Sequence, residues 1–178
     1  MTAKKPISIR NMVLISMFTA ALAVASQFSV PMPSGVPLTF QVLVVALCGM
    51  VLGWRIGAAA MIIYILIGAI GVPVFANFGA GPATLFGRTG GFILGYPFLA
   101  SFCGFARSYK SHWLRLIFAI LGLLLCHVCG ILQYMLLTGT SFMASALLIS
   151  IPYLLKDILL VTTSTVLEKK FKKLLPNE

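Results

Sequence analysis

Residues 116–157 read LIFAILGLLLCHVCGILQYMLLTGTSFMASALLISIPYLLKD, and the first 40 of them, Leu116 to Leu155, contain no Lys, Arg, Asp or Glu. One helical crossing of a bilayer uses about 20 residues, so this run has to turn back on itself. It stops at Lys156 and Asp157, two charges set inside the apolar stretch from Ala144 to Leu167. An ionisable residue at mid-span costs roughly 2.5–3.5 kcal/mol on insertion scales, so it persists mostly where it faces a protein interior or a ligand. The pair therefore marks a site as well as a fold.

The same pattern extends through the chain. Other uncharged runs are Asn11 to Trp54, Ile56 to Gly87 and Thr89 to Ala106. Gly and Pro clusters divide the runs into six expected spans near 11–29, 38–53, 56–71, 89–106, 115–137 and 145–167. Composition agrees: 60% of the 178 residues are hydrophobic, 9% are charged, and mean hydropathy is +1.07. The expected class is an all-α integral membrane protein with six transmembrane helices, in a single membrane domain over 1–178. It comprises a tail over 1–10, the bundle over 11–167 and a basic tail over 168–178.

The net charge of +10 raises the question of a nucleic acid partner, and its placement answers against one. With six spans both termini share a side. Lys4, Lys5, Arg10, Arg55, Arg107, Lys110, Arg115, Lys169, Lys170, Lys172 and Lys173 fall there, leaving Arg88 and Lys156 of the 13 basic residues. Such a bias is that of cytoplasmic loops and termini. The expected location is a plasma membrane of bacterial type, crossed several times, with lipid around the bundle. A surface-bound basic helix is excluded by the high mean hydropathy, and the first apolar segment shows no small-residue cleavage site of a signal peptide.

Two motifs fail on inspection. Cys126-His127-Val128-Cys129 resembles a redox or metal pair, but no second ligand pair accompanies it. The two cysteines read as small packing residues, with His127 pointing elsewhere; Cys48 and Cys103 stand singly in other spans. Gly81 to Thr89 resembles a phosphate loop, yet five residues separate its glycines, Arg88 stands where Lys is needed, and it lies on the side away from ATP. With two His and three acids, no carboxylate pair and no Ser-His-Asp order in facing positions, enzymatic chemistry is not expected. Active transport would then draw on an ion gradient or on a separate ATP-hydrolysing partner.

The segment from Gly71 to Arg88 carries Pro73, Phe75, Asn77, Phe78, Gly79, Gly81 and Pro82 before Gly90 and Gly91. Glycine hinges with aromatic side chains are the composition of a ligand lid, although an ordinary connection reads similarly. Arg88 is expected beside the next helix N-terminus, where a guanidinium and partial positive charge meet. Lipid headgroup binding is the competing role.

Val36-Pro37-Leu38-Thr39-Phe40-Gln41, Leu52-Gly53, Gly68-Ala69-Ile70-Gly71-Val72-Pro73-Val74-Phe75 and Leu85-Phe86-Gly87-Arg88-Thr89-Gly90-Gly91-Phe92, in this order and spacing, resemble the BioY family. Members are biotin-specific substrate-binding subunits, or S components, of energy-coupling-factor (ECF) transporters. The resemblance, covering about 11–167, implies the S-component fold with cytoplasmic termini and a biotin pocket near the outer face. The connections between helices one and two and between helices three and four would close it. By similarity, an Asn in the second of these, an Arg before helix four and an Asp in helix six contact biotin, which map onto Asn77, Arg88 and Asp157.

The chemistry is compatible. A carboxylate accepts ureido N–H bonds, a guanidinium or amide donates to the ureido carbonyl, and aromatic rings cover the thioether ring. Gln41, Tyr64, Phe75, Phe92, Tyr96, Gln133 and Tyr153 are further candidate wall residues, each with a packing or interfacial alternative. In the family a Pro-Gly pair commonly precedes the Asp, whereas Leu155-Lys156 stands here. Neighbouring helix residues do not face each other, so Lys156 is expected to snorkel outward in preference to meeting the biotin tail.

In the first helix Ala20, Ala21, Ala23 and Ala25 form a small-residue surface, with Ala21 and Ala25 spaced for close helix approach. The resemblance implies docking there on the transmembrane coupling subunit, which carries two ATPases; internal packing or a homodimer could use the same surface. Biotin is then the substrate, no cofactor is implied, and ATP is hydrolysed by the partners. An S component for another vitamin stays open, since fold does not dictate substrate. A cation such as thiamin would favour acids and aromatic cages without a central Arg. A solitary facilitator is the other alternative; it would need a continuous polar path, and the inner halves of the helices show little polar lining.

Overall fold

A computed structural model of the chain describes residues 8–174. In order the elements are α1 (Ile9–Gln27), β1 (Ser29–Val30), β2 (Leu38–Thr39), α2 (Gln41–Leu52), α3 (Trp54–Ala69), a 3-10 turn (Ala76–Phe78), α4 (Gly81–Leu85), α5 (Gly90–Ala106), α6 (His112–Thr138), α7 (Phe142–Ile149) and α8 (Ile151–Leu174). The strands are a short antiparallel ribbon, Ser29 opposite Thr39 and Val30 opposite Leu38. They place the α1–α2 connection across one end of the bundle.

α2 lies at the centre. Ten of its 12 residues are buried, as expected for a helix apolar all round, and it packs against α1, α3, α5 and α8. Gly53, at φ +83°, belongs to the turn that reverses α2 directly into α3. A residue with a Cβ seldom adopts that conformation. α5 packs on α2, α3 and α6, and its glycines set the distance: a Cβ at Gly95 would stand 2.9 Å from Cys126 Cα. Small residues at such crossings let backbones approach closely where no hydrophobic effect drives helices together. Gly95→Val is expected to overpack this crossing by about 1–3 kcal/mol, seen as a lower thermal midpoint of the detergent-solubilised protein.

By length and apolarity α1 and α6 suffice to cross a bilayer, and α7 with α8 makes a third span if the bent pair is taken as one. α2, α3 and α5 are apolar but shorter, with 12, 16 and 17 residues. The expected continuous last span over 145–167 is corrected: the chain breaks at Ser150 and turns through 55°. Pro152 has no N–H to bond the carbonyl four residues back and its ring crowds that carbonyl, so it serves in the first turn of a new helix. α8 continues through Leu174. The remaining expectations for the tails fall on residues 1–7 and 175–178, outside the described residues.

At the bundle end opposite the ribbon, Arg115 of α6 is ion-paired with the buried Glu168 of α8, and Arg107 Nη1 donates to Val51 O at 2.9 Å. Trp54 stacks on Phe105 with centroids 4.9 Å apart. The Arg55 guanidinium lies 4.7 Å over the Trp54 ring, a favourable cation–π geometry.

Candidate functional site

Beneath the ribbon lies a depression of about 580 Å³ measured to its open mouth. Its roof is Val36, Pro37 and Thr39; its walls are Gln41 and Val42 of α2, Phe92 and Tyr96 of α5, and Tyr153 of α8; its polar floor is His127, Lys156 and Asp157. Cys126, Thr89, Ile93 and Ala76 complete it. Apolar walls with a few convergent polar groups are the usual make-up of a small-molecule site.

Asp157 is 4% exposed. Its Oδ2 is 3.3 Å from His127 Nε2, and its Oδ1 is 2.7 Å from Lys156 Nζ. Oδ1 is fully buried against the Lys156 ammonium.

His127 is 3% exposed. Ser150 Oγ lies 2.9 Å from its Nδ1, and the Phe92 ring meets it edge to face at 5.5 Å. The break after α7 is what brings the Ser150 hydroxyl to this position. The expected lack of Ser, His and Asp in facing positions is thereby corrected. Ser150, His127 and Asp157 stand in series because one helix turn of α6 faces both the α7–α8 break and α8. Ser150 does not line the cavity.

The expected outward snorkelling of Lys156 is also corrected. The side chain is 21% exposed, and Nζ donates to Thr39 O at 2.7 Å while pairing with the adjacent Asp157. Backbone positions one apart diverge on a helix, but the four-carbon stem is long enough to fold back.

Among the other candidates, Gln41, Phe92, Tyr96 and Tyr153 join Asp157 and Lys156 at the cavity. Tyr153 Oη donates to Val36 O at 2.7 Å and fixes the roof. Tyr64 is fully buried behind the wall, where it accepts from Gln41 Nε2 at 3.0 Å and donates to Val74 O at 2.8 Å. Phe75 is buried edge-on against Tyr64. Gln133 does not line the cavity; its amide donates to Leu85 O and Gly87 O at 2.7 and 2.8 Å and ties α6 to the α4–α5 turn.

Asn77 and Arg88 are exposed at the mouth and do not touch the floor. Asn77, at φ +56°, accepts from Ser29 Oγ at 2.7 Å, and the Arg88 side chain lies against Gly35. The α3–α5 segment thus contacts the α1–α2 connection directly. Ala21 is exposed and Ala25 partly so, which leaves Ala21 outside the internal packing. Among the described residues no three His, Cys, Asp or Glu gather as metal ligands.

Comparison with known proteins bears on this arrangement. The family model of the BioY family matches residues 1–177. The probable biotin transporter BioY of Pyrococcus horikoshii is 33% identical over 159 residues, covering 89% of this chain and 94% of that protein. The biotin transporter BioY of Thermotoga maritima is 42% identical over 87 residues, 49% of this chain and 51% of the relative. That of Rhodobacter capsulatus is 46% identical over 90 residues, 49% and 46%. The crystal structure of the S-component for biotin from an ECF-type ABC transporter superposes with a TM-score of 0.83 over 93% of this chain and 92% of that one, at 20% identity. The likeness at that identity is one of fold.

Proposed function

The chain belongs to the BioY family, and from that membership we propose that it binds biotin in the cavity over Asp157 and carries it inward as the substrate-specific subunit of an ATP-driven ECF transporter. The observation that carries the reading is the carboxylate of Asp157, whose oxygens are acceptors buried at the cavity floor. A ureido group presents N–H donors to such an atom, and charge-assisted hydrogen bonds of this kind are the stronger ones. Phe92, Tyr96 and Tyr153 cover the thioether ring. Asn77 and Arg88 close over the ligand from the mouth. The two connections part as biotin enters. The contacts of Asn77 with Ser29 and of Arg88 with Gly35 are the ones that open.

The short helices α2, α3 and α5 complete six spans, being packed among longer ones that bring their ends to the interfaces. Both termini are cytoplasmic by the distribution of Lys and Arg. Exposed Ala21 with Ala25 forms the docking face for the coupling subunit and its two ATPases.

The test is uptake of labelled biotin by a bacterial strain without its own biotin transporter, producing this protein with and without an ECF coupling module. Accumulation abolished by excess biotin, spared by excess thiamin or riboflavin, and stopped by ATP depletion is expected. No accumulation with the module present and the protein in the membrane contradicts the reading.

A further inference from the structure

We propose that Gln27 is a positioning residue for the mouth of this cavity: its carboxamide holds the turn over 75–79 in the shape that presents Asn77. The inference rests on the reading of the cavity as the biotin site.

Within that turn Asn77 and Phe78 both have φ +56°, two successive non-glycine residues in the left-handed region that a Cβ disfavours. Such a conformation persists only where its surroundings impose it, and it concentrates at sites of function. Phe75 anchors one end: it is buried against Tyr64, in a notch where a Cβ on Gly68 would collide with its ring. Phe75 N donates to Gly79 O at 3.0 Å. Gln27, the last residue of α1, engages the turn from outside. Its Nε2 donates to Phe75 O at 3.1 Å and its Oε1 accepts from Phe78 N at 3.0 Å, so the side chain spans the turn as a peptide group would. A carboxamide offers a donor and an acceptor side by side, which neither a carboxylate nor an apolar side chain does. Nε2 also reaches Ala23 O and Ser26 Oγ at 3.1 and 2.8 Å, and Ser26 Oγ donates to Val74 O at 2.7 Å. The last turn of α1 thus holds two consecutive carbonyls of the α3–α4 connection.

The consequence falls on the site. Ala76 lines the cavity, and Asn77, next in the chain, meets Ser29 Oγ across the mouth at 2.7 Å. Phe78 is 72% exposed and does not line the cavity, so its backbone angle serves the turn and not the packing of its ring. Purified full-length protein in detergent, titrated with labelled biotin, tests the role through Gln27→Met, Gln27→Glu, Phe78→Gly and the double variants that combine Phe78→Gly with each. Met keeps the length and removes both bonds to the turn; Glu keeps the acceptor for Phe78 N and loses the donor for Phe75 O. Gln27→Met is expected to bind biotin about 10-fold more weakly, the scale of two neutral hydrogen bonds, because affinity falls with the fraction of molecules that keep the turn. Gln27→Glu changes in the same direction. Glycine takes positive φ without the penalty of a Cβ, so adding Phe78→Gly to Gln27→Met should recover at least about 3-fold. In the wild-type background the turn is already held, and Phe78→Gly alone should stay within about 2-fold, as exposed substitutions usually do. That non-additivity is what two changes to one backbone constraint produce.

Wild-type affinity in both Gln27→Met and Gln27→Glu overturns the proposal, whether or not their thermal midpoints fall, since Gln27 would then serve only the stability of α1. So does a loss that Phe78→Gly leaves unchanged, which would be packing. If Gln27→Met does not fold, Gln27→Glu with and without Phe78→Gly decides by the same criterion. Wild-type protein that binds no biotin removes the cavity assignment itself and this inference with it, whereas binding by wild type with either of the overturning outcomes removes the inference alone.

Discussion

Asp157→Asn is expected to weaken biotin binding by about 100-fold or more, the largest effect of any single substitution at the cavity. The exchange conserves volume, so the walls formed by Phe92, Tyr96 and Gln41 stay in place and the change is one of charge and donor pattern. A hydrogen bond to a charged acceptor contributes about 1.5–3 kcal/mol, which is roughly one to two powers of ten in affinity. The amide adds to this in one of two ways. Either its NH2 opposes the ureido N–H donors, or it turns to offer them its oxygen and sets NH2 against the Nε2 of His127, 3.3 Å away in the wild type. Lys156 meanwhile loses its anion in a site where it is only 21% exposed. Equilibrium titration reads the effect directly, and an affinity for Asp157→Asn within about 3-fold of wild type would put the recognition atom elsewhere.

The second large effect concerns stability and lies at the other end of the bundle. Glu168→Leu removes the partner of Arg115 from a setting where the two side chains are 1% and 13% exposed. Breaking a buried ion pair from one side costs about 3–5 kcal/mol, because the remaining charge is left without compensation in a low dielectric. A strongly lowered thermal midpoint is expected, with biotin affinity of the folded fraction retained, since the pair lies far along α8 from Asp157. Replacing Arg115 and Glu168 together by leucine should recover part of the loss, as two apolar side chains have no buried charge to solvate. A single variant as stable as wild type would show that the pair carries little.

Hydropathy alone located most of the helical segments. The uncharged runs and their Gly and Pro breaks correspond to α1, α2, α3, α5, α6 and the α7–α8 pair, because a chain that satisfies its backbone in lipid has few options besides a helix. What it missed has a physical reason in each case. The break at Ser150 depends on one proline near the start of an otherwise uniform apolar run, and proline in a membrane helix is tolerated often enough to be read through. The placement of Lys156 is a matter of side-chain rotamers, which residue spacing does not encode.

His127 could have been found. It sits in the same kind of apolar span as Asp157, and the argument that singled out one intramembrane ionisable group applies equally to the other. The pairing itself joins two helices distant in sequence and only becomes visible once α6 and α8 are packed. The roof is legible in part: Val36 to Gln41 carries a family resemblance, but the ribbon, and the contacts of Asn77 with Ser29 and Arg88 with Gly35, arise from two connections meeting in space.

Equilibrium binding of labelled biotin to the purified, monodisperse protein, with thiamin and riboflavin as competitors, addresses the central claim most directly. Saturable binding displaced by unlabelled biotin and by neither competitor is the predicted result. A protein that is folded and monodisperse yet binds no biotin, or that yields it equally to thiamin or riboflavin, would contradict the account.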